Sequence, residues 1–120
     1  MTFDELKKHH HENNISFRYF TTELTRESRD ILCNELGEVY RKMKTGCWKK
    51  VENKMNHKKG YNVILVGKKQ YMRSKIVALA FGKVSEKYAH DKYINICHVN
   101  QDRLDCKITN LVVKTRITEH

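Results

Sequence analysis

The chain has 120 residues, of which 39% are hydrophobic and 32% charged, enough apolar material for one modest core and too much for a wholly disordered chain. Its 24 Lys and Arg against 14 Asp and Glu give a formal charge of +10; the excess is spread along the chain, so nucleic acid is the first partner to expect, ahead of an anionic membrane or an acidic protein. No run approaches the roughly 18 apolar residues of a membrane span, and the charged start MTFDELKKHHHENN lacks the apolar stretch of a secretory signal, so a soluble cytoplasmic protein with reduced thiols is expected.

Residues 2–13 read as a helix, with Thr2 as N-cap, Asp4 and Glu5 in the first turn, and Lys7 and Lys8 further along, as the helix dipole favours. His9, His10 and His11 follow one another on that helix and therefore point in three directions, which suits a solvated face or a cloning remnant better than a metal site. ISFRYF, 15–20, alternates as a short strand does. RESRDILCNELGEVYRKMK, 26–44, places Leu32, Leu36, Val39 and Met43 on one helical stripe, interrupted by Gly37 at a cost of about 1 kcal/mol relative to Ala.

From residue 47 the pattern changes to strands, CWKKVENK, YNVILVG and KQYM, the last two joined by a Gly67-Lys68 turn into a small antiparallel sheet. SKIVALAFGK, 74–83, is expected as a short helix capped by Ser74 and closed by Gly82. INIC, 94–97, and ITNLVV, 108–113, are expected as strands flanking a polar loop, and Thr115 as the cap of a final helix that returns Glu119 and His120 towards them. The sum is an α+β fold: a small antiparallel sheet with helices and a C-terminal ββα unit. Residues 1–46 are expected as an N-terminal helical and strand segment packed on the core of a domain at 47–120, the two forming one compact unit.

Cys33, Cys47, Cys97 and Cys106 contain no C-x-x-C pair. Cys97 and Cys106 flank His98, but a zinc site would need Cys47 with His57 as its second pair, and buried free thiols are the better expectation. Lys49, Lys50, Lys58, Lys59, Lys68, Lys69, Arg73 and Lys75 cluster in the strand region, interleaved with Trp48, Tyr61 and Tyr71, a texture that favours contact with phosphate.

Several blocks occur in a telling order: GEVYRKMKTG at 37–46, KKGYNVILVGKKQY at 58–71, SKIVALAF at 74–81, then His98, Asn110 with Leu111, and Thr115. Together they resemble the HNH nucleases with their ββα-metal motif, and more closely the phage-type HNH homing endonucleases, over about residues 37–120. The resemblance implies double-stranded DNA as substrate and His98 as the general base that activates water, a task suited to a group titrating near neutrality. It implies that Asn110 orients the imidazole, and that Glu119, or His120 one residue on, binds a single divalent ion, Mg or Mn rather than Zn. Cys97, a third candidate metal ligand, stands where homing enzymes usually carry a metal-binding Asp, Ser74-Lys75 where their helix begins His-Arg, and the loop VNQDRLDCK lacks the frequent Gly-Asn turn. Two readings follow: a divergent DNA endonuclease or nickase, or a catalytically degenerate DNA-binding or regulatory phage protein. A basic protein with a host or phage protein partner accounts for the charge but not for the ordered blocks.

Overall fold

Thr2 and Glu5 start the first helix together: the Thr2 hydroxyl accepts from the Glu5 amide at 3.2 Å and the Glu5 carboxylate from the Thr2 amide at 3.2 Å, a reciprocal capping box. In the computed structural model, which describes residues 1–85 and 94–115, this helix, α1, spans Phe3–Glu12. β1 follows at Phe17–Tyr19, inside the strand expected over 15–20.

The helix expected over 26–44 is instead an antiparallel hairpin, β2 (Ile31–Asn34) and β3 (Val39–Lys42). Asn34 makes the turn: its Oδ1 accepts from the amides of Leu36 and Glu38, both at 3.0 Å, and Gly37 takes φ +84°, where a side chain would be strained. The physical reason for the correction is burial on both faces. Ile31, Leu32, Cys33 and Asn34 are all buried, and such a strand reads as an unbroken apolar run that periodicity cannot separate from a helix. Two members of the supposed stripe, Leu36 and Met43, are 52% and 43% exposed.

β4 (Trp48–Lys50) completes a four-stranded meander in the order β1-β2-β3-β4, and its pairing with β3 runs across the division drawn between residues 46 and 47. One face of this sheet packs Leu32, Tyr40 and Trp48 against Leu6 of α1. The other turns Ile31, Cys33 and Val39 into the larger core.

The rest of that core comes from β5 (Val63–Val66) and β6 (Lys69–Met72), hairpin partners joined at Gly67, and from α2, Arg73–Ala80. Met72, not Ser74, is the N-cap of α2 and gives no side-chain bond; the chain enters the helix directly from β6, so Ser74 lies inside the first turn and is buried. Gly82, at φ +75°, follows the helix end as expected. β7 (Ile94–His98) and β8 (Leu111–Thr115) pair antiparallel from Ile94 opposite Thr115 to His98 opposite Leu111, and Ile108–Asn110 form a 3₁₀ turn at the entry to β8. The result is a small α+β domain with two helices and antiparallel strand pairs among the described residues. Thr115 ends β8, and the helix expected beyond it lies outside the described residues. No helix among the described residues is long and apolar enough to cross a membrane.

His10 corrects the reading of the triple-His run as a solvated face, because it is fully buried. Its Nδ1 lies 2.8 Å from the Leu6 carbonyl and its Nε2 3.0 Å from the Asn34 amide nitrogen. Asn34 Oδ1 is already occupied by backbone amides, so its nitrogen is the donor to Nε2 and His10 carries its proton on Nδ1.

Candidate active site around His98

β7 delivers His98 to the start of a loop that polar side chains hold in shape. Asn110, buried at the loop's far end, accepts from the Asn100 amide at 3.1 Å and donates to Asn100 Oδ1 at 3.0 Å and to the Asp105 carbonyl at 2.8 Å. Asn100 in turn donates to Asp105 Oδ2 at 2.8 Å and accepts from the Asp102 amide at 2.9 Å. A further bond closes the base of the loop, from the Val99 amide to the Asn110 carbonyl at 2.9 Å. Gln101 takes φ +64°, so the left-handed residue is present without glycine, at a cost of order 1–2 kcal/mol that the surrounding bonds offset. Asn110 therefore braces the loop behind His98, and its side-chain bonds go to that loop and not to the imidazole.

His98 is 9% exposed. Its Nε2 lies 3.8 Å from Cys106 Sγ, and that sulfur lies 3.9 Å from the Arg103 carbonyl. Burial pushes the Cys106 thiol up to about 12, so at neutral pH it is an S–H group and not a thiolate. Burial also lowers the pKa of His98; Asp102 and Asp105 pull it back up, while the Arg103 charge lowers it further. The net direction favours the neutral imidazole, the form that a general base needs.

The wall beside His98 comes from residues 54–63. Tyr61 lies 6.2 Å from the His98 ring, 6.1 Å from that of His57 and 4.9 Å from the Arg103 guanidinium carbon. Arg103 also donates from Nη1 to the Lys59 carbonyl. Asn62 holds this segment to the core, donating to the Lys54 carbonyl at 2.7 Å and accepting from Arg73 Nε at 2.8 Å.

Arg73 is a correction to the phosphate-binding set. It is 1% exposed, and its remaining nitrogens donate to the Gly37 carbonyl at 3.0 Å and the Val51 carbonyl at 2.9 Å. A guanidinium satisfied by three oxygens inside the core joins segments together and has no surface for DNA. Gly37 itself abuts the His98 loop: a Cβ there would lie 2.5 Å from the Cys106 carbonyl carbon. The Ile108 amide meets the Glu35 carbonyl at 2.8 Å beside it.

Among the other expected residues, Lys49, Lys50, Lys58, Lys59, Lys68 and Lys69 are exposed and Lys75 is half-buried. Lys50 pairs with Glu38, whereas Lys58 and Lys59 sit next to the Tyr61 wall. Trp48 and Tyr71 are buried in the two cores, so the aromatic interleaving reaches the surface only at Tyr61. Cys97 pairs with Val112, one step from His98 opposite Leu111, and strand alternation turns Cys97 and His98 to opposite faces. Glu119 and His120 lie outside the described residues.

No family model matches the chain, nor does any curated protein or solved structure. The site's chemistry therefore rests on its own geometry. Sequence reasoning assigned no role to Arg103, Asn100 or Asp105. Their signal was position: all share the polar loop between His98 and Asn110, where Asn and Asp at close spacing commonly satisfy backbone amides.

Proposed function

We propose that the protein is a divergent HNH-type endonuclease that nicks double-stranded DNA by hydrolysing a phosphodiester, acting in the cytoplasm of a bacterial host. The observation that carries this reading is the placement of His98: buried, its pKa lowered by that burial, and held at a strand end by a loop that Asn110 braces. The Nε2 side of the ring faces Cys106, which leaves Nδ1 for the water. His98 takes a proton from water at Nδ1 as the oxygen attacks phosphorus; the ester bond to the leaving oxygen breaks, and that oxygen takes a proton from solvent.

The resemblance adds a divalent ion, Mg or Mn, which when bound would stabilise negative charge on the phosphate. Among the described residues no three His, Cys, Asp or Glu side chains gather to hold one, and Cys97 is turned away from His98. The described residues do not make the ligand set. Glu119 and His120 remain its proposed ligands.

A plasmid-nicking assay with Mg²⁺, Mn²⁺, Zn²⁺ or EDTA, run beside His98→Ala, tests the reading. Nicking should fall by about 10²–10⁴-fold in the variant, the usual loss on removing a positioned base, with DNA affinity nearly unchanged. Nicking that survives His98→Ala would place the activity elsewhere. The placement of Cys97 supports a second reading, a DNA-binding or regulatory protein that has lost hydrolysis; absence of nicking under every metal, with binding retained, would select it.

A further inference from the structure

Arg103 is exposed yet held, an uncommon combination for a long side chain that loses rotamer freedom when fixed. Two contacts hold it, and a third neighbour leaves it room. The guanidinium lies 4.9 Å from the Tyr61 ring centre, Nη1 donates to the Lys59 carbonyl, and the side chain runs past Gly60, where a Cβ would meet Arg103 Cδ at 3.8 Å. Its backbone is equally constrained, since the Arg103 carbonyl is within reach of Cys106 Sγ and the flanking loop is braced by Asn100 and Asn110.

The two acidic residues nearest in sequence do not claim this cation. Asp105 is engaged with Asn100 and Lys107, and Asp102 Oδ1 accepts from the Leu104 amide at 3.0 Å. Among the described residues no carboxylate forms an ion pair with Arg103. Among the described residues one nitrogen of the guanidinium is spent on a carbonyl, so the rest of its planar fork can meet an oxyanion. The same Tyr61 ring that carries Arg103 also faces His98, and the exposed Lys58 and Lys59 precede it in the chain. A fixed guanidinium on an exposed residue, tied to the backbone of a segment that carries the exposed Lys58 and Lys59, matches a phosphodiester of a polyanion.

We propose that Arg103, laid on Tyr61 and tied to the Lys59 carbonyl, is the phosphate-binding residue of the His98 site and holds a DNA phosphodiester against the imidazole. The proposal deepens the nuclease reading and rests on it for the meaning of that contact. Tyr61 serves as the platform that prevents the guanidinium from swinging away, so the phosphate is met by a donor already in place.

The test is duplex binding without added metal, by the full chain. Anisotropy of a short labelled mixed-sequence duplex is measured across salt for wild type, Arg103→Gln, Arg103→Lys and Lys8→Gln, the last removing an equal charge from distant α1. In parallel, the His98 ring proton and the Arg103 Nε–H are followed by NMR as the duplex is added. Arg103→Gln should weaken binding roughly tenfold at low salt and reduce the salt slope by about one phosphate. Arg103→Lys should restore the slope but not the full affinity, because an ammonium lacks the flat fork; Lys8→Gln should do less than either. Duplex should shift the His98 and Arg103 signals in wild type, and the His98 signal should stay put in Arg103→Gln. Equal affinity and slope in wild type and Arg103→Gln would overturn the proposal, as would wild-type signals unmoved by saturating duplex. The wild-type titration decides the matter even if Arg103→Gln loosens the loop. Neither measurement needs turnover, so signals that shift in a protein that never nicks would uphold the phosphate site while hydrolysis alone falls.

Discussion

His10 on α1 and His98 at the end of β7 are both buried, with 0% and 9% of their surface exposed, and the polar groups around them differ in kind. His10 is saturated: Nδ1 reaches a backbone carbonyl, Nε2 accepts from Asn34, and Phe17 and Tyr40 enclose the ring at 5.0 and 5.7 Å. His98 has a thiol beside Nε2 and, among the described residues, no hydrogen bond to Nδ1. It also faces an aromatic wall that carries a solvent-facing cation. Burial alone does not distinguish a structural histidine from a chemical one. The difference lies in whether the neighbours use up the ring, since a saturated ring has neither a lone pair nor a proton to offer a substrate.

Arg73 ties the Gly37 turn and Val51 to the segment beside His98 and gives the largest expected effect. Arg73→Met leaves Asn62 Oδ1 and the Gly37 and Val51 carbonyls without their donor, and should cost about 3 kcal/mol or more in urea unfolding. An unchanged unfolding midpoint would mean that the core does not depend on this junction.

Gly37→Ala should cost about 2 kcal/mol or more, because φ is +84° and the new Cβ would lie 2.5 Å from the Cys106 carbonyl carbon. It should also disturb the His98 region before the α1 region. Hydrogen exchange that quickens over residues 98–110 while α1 stays protected is the expected result.

His10→Gln and His98→Gln separate the comparison itself. The first leaves buried polar groups short of partners and should cost about 1–3 kcal/mol while leaving duplex binding intact in the protein that remains folded. The second should change stability little and remove nicking. Opposite outcomes would exchange the roles assigned to the two rings.

The smallest effect is a linkage to pH. The folded pKa of His98 lies below its ordinary value of 6.5, chiefly through burial. The unfolded chain therefore takes up the proton first as pH falls. The stability His98 contributes is present above 6.5 and lost as pH falls from there through the folded pKa. Subtracting the unfolding curve of His98→Gln from that of wild type isolates this slope; a difference independent of pH in that window would contradict the burial argument.

The legible parts of the molecule were those where one local signal sufficed. Thr2 and Glu5 marked the start of α1, Gly67-Lys68 the β5–β6 turn, and alternating apolar residues the β7–β8 pair. The β2–β3 hairpin was obscured because Leu32 packs towards α1 while Ile31 and Cys33 face the other core, which erases the period-two pattern. Arg73 and His10 were misread for a related reason: a charged or polar side chain signals surface in a sequence, and only the fold supplies the carbonyls and amides that satisfy it inside. In the candidate site, the resemblance pointed to His98 and Asn110, and the β7–β8 pairing sets them at the two ends of one loop. The Asn100, Asp105 and Cys106 contacts depend on how the loop folds back, which spacing does not encode.

The central claim is that His98 acts as the base, and the pH dependence of nicking under single-turnover conditions tests it most directly. Wild type should show a rate that rises with pH and levels off with a midpoint below 6.5, the ordinary histidine value. His98→Gln should lose that limb along with about 10²–10⁴-fold of the rate. The same rising limb at an undiminished rate in His98→Gln would show that another group takes the proton.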